Sequence, residues 1–208
     1  MDWRQLISTS SMTVKIIAVT AVAWAIVALL GAQDWAFRFG GFIPIRFEGD
    51  VAVPGALPAL VTPLSATLLH ADFMHVLFNM LMLAICGTGV ERAIGRGETL
   101  LLYVIGAFVA ALGHFLFNMG SLGPMIGASG AVSAVVGAYA ILYAKRREGH
   151  GGMRHVLQLA GAWIVIQLLI GLTTLGSATD IAIAAHIAGF LAGLALGRPL
   201  LLWRYRDA

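Results

Sequence analysis

The sequence predicts an all-α membrane protein: a bundle of six transmembrane helices, with one long loop after the first. Three observations predict it. Of the 208 residues 60% are hydrophobic, only 11% are charged, and the charges fall at the ends of long apolar runs. A soluble domain carries about 25% charged residues, whereas a bilayer core of about 30 Å asks for roughly 20 consecutive apolar residues per crossing. A single cysteine, Cys86, inside an apolar run excludes a disulfide framework and a cysteine metal site. The net charge of +3, with its cations tied to segment ends, fits membrane topology and argues against nucleic-acid binding. Residues 1–208 read as a single membrane domain.

The apolar segments fall at about residues 14–32, 73–90, 99–118, 128–144, 155–175 and 181–202, each bounded by charges or by Gly and Pro. Arg4 and Lys15 precede the first. Its apolar core of about 17 residues exceeds the roughly 7–15 of a secretory signal, so a retained helix is expected. Between the first two segments, about residues 33–72 hold Trp35, Phe37, Phe39, Phe42, Phe47 and most of the prolines. Loops of such length are commonly functional, and aromatic rings collect at the headgroup level. An interfacial loop on the outer side, with short helical pieces, is expected. With the N-terminus in the cytoplasm, all of the 13 Lys and Arg except Arg38 and Arg46 lie inside, as the positive-inside rule asks. Both termini are therefore expected to be cytoplasmic, in a chain suited to a bacterial inner membrane.

Polar residues within spans are expensive and mark candidate sites. They are His75 and Asn79 in segment two, His114 and Asn118 in segment three, Ser129 and Ser133 in segment four, Gln167 in segment five and His186 in segment six. At 1.5 Å per helical residue, His75 counted from Glu91 and Ser129 counted from Lys145 both lie roughly 24 Å above the inner boundary. His186, counted from Arg198 or Arg204, lies at roughly 18–27 Å. Three helices thus bring a serine, two histidines and an asparagine to one level, below the outer face.

Small residues provide the packing. Gly189, Gly193 and Gly197 recur every four residues in segment six, and segment four offers Gly130, Ala134 and Gly137. Such spacing lets helix backbones approach closely, and it would carry His186 toward Ser129. A serine hydroxyl is a weak nucleophile until an adjacent base takes its proton, which a neutral histidine does near pH 7. His75 and Asn79, four residues apart on one helical face, would offer donors to an oxyanion, as would the unpaired N–H groups at the start of segment four. A bland reading stands beside each feature. Ser129 between small residues also suits a packing surface, His186 also suits a helix-to-helix hydrogen bond, and the glycine ladder also suits a homodimer face. His114 and Asn118 are expected to be interfacial or structural, Ser133 to pack one turn deeper, and Gln167 and Cys86 to be structural.

Together these residues resemble the rhomboid intramembrane serine proteases, in their minimal six-helix bacterial form. The matching pieces are "HADFMHVLFNM" with His75 and Asn79, "GVERAIGRG", "GASG" with Gly127 and Ser129, and "AHIAGFLAG" with His186, Gly189 and Gly193. Their order and spacing cover about residues 70–197. The resemblance implies a Ser–His dyad without a third carboxylate, with Ser129 as nucleophile and His186 as general base. It places His75, Asn79 and the Gly127–Ser129 backbone at the oxyanion. It implies cleavage of single-pass transmembrane substrates near the outer face, with no metal and no cofactor. Two departures stand out. Val61-Thr62-Pro63 occupies the place where many members carry a Trp-Arg pair, and Ser133 stands where some members place a tyrosine against the catalytic histidine.

Two other classes are weighed against a peptidase. A catalytically silent relative that binds transmembrane clients would have lost Ser or His, and both are present. A small-solute transporter would use the same polar pocket, but no repeat pairs the two halves of the chain. A zinc protease lacks its His-Glu-x-x-His site, and Asp180 stands alone between Glu148 and Asp207, leaving no intramembrane aspartate pair.

Overall fold

The computed structural model describes residues 11–49, 52–143 and 183–206, together with 154, 158, 161–163 and 165. Helix α1 spans Met12–Leu29 and α2 spans Gln33–Gly40. After 3-10 turns at Pro44–Phe47 and Ala59–Val61 come the short α3, Thr62–Ser65, and a further 3-10 turn at Ala66–Leu68. Helix α4, Phe73–Met82, continues through a π-helical turn, Leu83–Gly87, into α5, Thr88–Ile94. Helix α6 spans Arg96–Phe117, α7 Ser129–Leu142 and α8 Ile183–Arg204. Among the described residues, the only β feature is an isolated bridge between Phe42 and Met125.

Four of these stretches are long and apolar enough to cross a membrane: α1, the Phe73–Ile94 rod, α6 and α8. The fourth expected segment is shorter, a helix of 14 residues or about 21 Å. That is shorter than a roughly 30 Å hydrocarbon layer. Of the fifth expected segment only residues 158, 161–163 and 165 are described, all helical; the rest, Gln167 included, lies outside the described residues. The long first loop carries the short helical pieces that its composition implies.

Helix α7 is apolar on every side and buried almost throughout, as a helix without a polar face has to be. Small residues seat it against α8. A Cβ at Gly193 would land on the Ala134 carbonyl and lie 2.8 Å from the Ala138 nitrogen, and one at Gly137 would strike the Phe190 carbonyl. Gly189 faces the Gly130 carbonyl in the same seam. Helix α6 approaches from another side, with Gly106 against Ala131 and Ala134. The glycine ladder of α8 is thus occupied within the chain, and no homodimer is needed to explain it.

Helix α1 is held by one carboxylate from 80 residues away. Glu91 accepts from the Ser11 hydroxyl at 2.8 Å, the Met12 and Thr13 N–H groups at 2.9 and 2.8 Å, and the Thr13 hydroxyl at 2.7 Å. These donors include N–H groups that a helix start leaves unpaired. The opposite face of α1 exposes Val19, Val22, Ile26 and Leu29, a surface suited to lipid.

The first loop is anchored without a Trp-Arg pair. Thr62, in the departed position, is fully buried and its hydroxyl donates to the Ala59 carbonyl at 2.6 Å. Arg46 Nη2 donates to the Leu57 carbonyl at 2.7 Å, and the Ser65 hydroxyl donates to the Gly40 carbonyl at 2.6 Å. This loop also braces the chain that leads into α7. Phe42 and Met125 exchange backbone hydrogen bonds at 3.0 and 2.7 Å, Ile45 N–H reaches the Ser121 carbonyl, and the Gly120 N–H donates to Glu48.

Candidate active site

Ser129 opens α7, where the first N–H groups of a helix have no internal partner. Its hydroxyl lies 2.6 Å from His186 Nε2, within the range of an O–H···N bond. Ser129 is half-buried and His186 is buried. The backbone contact of α7 with α8 sets this distance, because His186 stands one turn before Gly189 on the packed face. For Nε2 to accept the serine proton, the histidine proton must sit on Nδ1. His186 Nδ1 is buried and has no hydrogen-bond partner among the described residues, so no carboxylate among them orients the ring.

The third side is the start of α4. Asp72 caps this helix, accepting from His75 N–H at 2.8 Å, and so fixes the turn that bears His75. The His75 ring and the Ser129 hydroxyl converge on Gly127. A Cβ there would lie 2.7 Å from His75 Nε2 and 3.6 Å from Ser129 Oγ. Gly127 has φ +110°, a conformation that L side chains rarely adopt. Its own N–H is taken by the Ala66 carbonyl at 2.9 Å. Its contribution is therefore space and backbone shape rather than a donor. Asn79, buried one turn below His75, donates from Nδ2 to the His75 carbonyl at 2.9 Å, and an amide group has a second hydrogen to offer.

His70 is a member of this cluster that reading the spans alone misses, since it precedes α4. It is almost fully buried, its Nε2 accepts from the Ala128 N–H at 3.3 Å, and its ring meets His75 edge-on at 4.8 Å. Burial pushes its pKa down to about 3, with His75 adding to the shift and a backbone contact to Leu68 opposing it. It is a neutral prop for the residue before Ser129. The available signal was its place at the head of "HADFMH".

The second His-x-x-x-Asn pair makes the same local bond. Asn118 Nδ2 donates to the His114 carbonyl at 2.9 Å. The His114 ring is buried, its Nδ1 lies 3.3 Å from Asn118 Nδ2 and its centroid lies 6.3 Å from that of Phe42 in an edge-to-face arrangement, so it meets the loop brace while remaining within electrostatic range of His186. Ser133 is fully buried and donates to the Ser129 carbonyl at 2.7 Å. Cys86 is buried in the π turn. No group of three or more metal-ligating side chains occurs among the described residues.

The fold and site define a helical integral membrane protein with a serine–histidine contact at one end of a buried helix. Comparison with known proteins gives the class its family. Residues 58–203 match the Rhomboid domain, and the chain belongs to the rhomboid family. It is 31% identical over 156 residues to rhomboid protease GluP of Bacillus subtilis, covering 73% of this chain and 28% of that protein. It is 30% identical over 134 residues to rhomboid protease GlpG of Yersinia pseudotuberculosis, covering 62% and 44%. With GlpG of Haemophilus influenzae it shares 28% over 137 residues, covering 64% and 66%. The chain thus spans less than two thirds of the length of each of these relatives.

Proposed function

We propose that this protein is an intramembrane serine endopeptidase that cuts single-pass transmembrane proteins near the outer membrane face. The observation that carries the reading is the 2.6 Å contact of His186 Nε2 with Ser129 Oγ. In the first step Nε2 takes the Ser129 proton as Oγ bonds to the scissile carbonyl carbon. Negative charge then develops on the carbonyl oxygen. The Ser129 N–H at the helix start, Asn79 and His75 are the donors that receive it. The imidazolium returns its proton to the departing amine, leaving an acyl group on Ser129. Water, deprotonated by His186, then releases the new carboxyl end and restores the hydroxyl.

The short α7 supports the depth of cleavage, because a 14-residue helix with its other end at the cytoplasmic boundary would place its serine end inside the hydrocarbon layer. The excess of Lys and Arg on one side supports cytoplasmic termini, and the membrane is read as a bacterial inner one. The whole chain acts as one domain, and the mechanism calls on neither metal nor cofactor. A silent binder of transmembrane clients has no use for the preformed Ser129–His186 contact, which favours the enzyme over it.

The test is capture of Ser129 by a fluorophosphonate, together with cleavage of a model transmembrane substrate in liposomes. The wild-type protein is expected to do both, and Ser129→Ala to do neither while keeping its melting temperature. A folded wild-type preparation that is neither labelled nor active would sink the reading. Solute uptake that survives Ser129→Ala would favour a transporter.

A further inference from the structure

Trp163 and Ser133 are buried beside the dyad and take no part in the chemistry assigned above. Resting on that reading, we propose that they are a positioning pair that fixes the turn of α7 bearing the nucleophile. The Ser133 hydroxyl has one proton, and it is directed to the Ser129 carbonyl at 2.7 Å. Its lone pair receives the indole N–H of Trp163 at 3.0 Å. A continuous chain therefore runs from the Trp163 Nε1–H through the Ser133 hydroxyl to the carbonyl of the nucleophilic residue itself.

Three physical consequences follow from this connection. An N–H donated to a hydroxyl polarises it and strengthens the bond that the hydroxyl donates in turn. Holding the Ser129 carbonyl also holds the plane of the Ser129–Gly130 peptide, because the bond is rigid, and so steadies the first turn from which Oγ projects. Indole has a single donor, which would be left unpaired in an apolar core without Ser133. Trp163 and Ser133 are 7% and 0% exposed, so water does not replace either partner. Ser133 also stands in the α7–α8 seam, with its Cβ 3.3 Å from the place a Cβ on Gly189 would take. The pair thus reaches the junction that sets the Ser129–His186 distance, and it ties the helical residue Trp163 to it.

The experiment uses the full chain in liposomes and compares Trp163→Phe, Ser133→Ala and the double variant. It measures kcat and KM on a transmembrane substrate, the rate of fluorophosphonate capture, and melting. Each single change is expected to lower kcat and the capture rate roughly tenfold, since small misplacements of reacting atoms are costly, with KM within about twofold. The double variant is expected to be no worse than the singles, because all three break one chain. Should Trp163→Phe lose its fold, Ser133→Ala interrupts the same chain from its other member. Full kcat and capture rate in Ser133→Ala, losses that multiply in the double variant, or losses that follow melting alone would each overturn the pair. Such a result beside an inactive Ser129→Ala leaves the protease reading standing. A folded wild-type chain that neither cleaves nor is captured removes both.

Discussion

Gly189→Ala is a one-methyl change aimed at the distance on which the dyad depends. The added Cβ would meet the Gly130 carbonyl oxygen, with the Gly130 carbonyl carbon at 3.1 Å and Ser133 Cβ at 3.3 Å. Two of these atoms are backbone of the buried α7, so no rotamer change relieves the contact, and α8 has to move. Restoring ordinary separations of about 3.5 Å or more calls for a shift of about 1 Å. Applied to the 2.6 Å contact of His186 with Ser129, that shift gives about 3.6 Å, at which no hydrogen bond remains. A displacement of this size costs on the order of 100-fold in rate, while overpacking costs about 1–3 kcal/mol of stability. The assay is kcat per captured active site in liposomes, with melting measured on the same preparation. Gly97→Ala is the control, because nothing lies within 4 Å of its Cβ position, and it should leave both quantities near wild type. A folded Gly189→Ala protein with wild-type kcat would refute the claim that the α7–α8 backbone contact positions His186.

Glu91→Gln keeps the shape of the cap on α1 but replaces one accepting oxygen with an NH2 group. It strands either the single donor on Oε1 or the three on Oε2. At about 2 kcal/mol for unpaired donors, melting should fall by about 4–8 °C for a chain of this size; an unchanged melting curve would remove Glu91 as the clamp. His70 gives a pH dependence. Its folded pKa of about 3 lies below the ordinary 6.5, so the unfolded chain takes up its proton first as pH falls. The fold should lose up to about 1.4 kcal/mol per pH unit from near pH 6.5 toward 3. His70→Gln should flatten that slope in denaturation measured across the range, and an equal slope in both proteins would assign it to other groups.

Residues whose role depends on helix depth and backbone approach were legible early. Ser129, His75 and His186 could be set at one level by counting rises from charged anchors, and the Gly189–Gly193–Gly197 ladder announced a close neighbour. Groups whose partners lie far along the chain were not. Glu91 reads as a charge that ends a span, yet its four donors stand some 80 residues earlier. The π turn at Leu83–Gly87 has no local signature; at its end Gly87 packs so closely on α1 that a Cβ there would lie 2.8 Å from Thr13 Cγ2. Ser133 reads as one more small residue until Trp163 is brought to its hydroxyl.

The two His-x-x-x-Asn pairs show where the boundary lies. In both, the asparagine amide donates to the histidine carbonyl at 2.9 Å, because a spacing of four residues puts that carbonyl within reach of the amide. Spacing therefore accounts for the backbone bond in both pairs, and in one of them for the 3.3 Å approach of Asn118 Nδ2 to His114 Nδ1, but not for what else the ring meets. His75 meets the Gly127 turn beside Ser129, and His114 meets Phe42 from the first loop. Those neighbours are supplied by segments outside the motif. It follows that Phe42→Ala should shift the imidazole NMR signals of His114 more than those of His75, and equal shifts would count against the distinction.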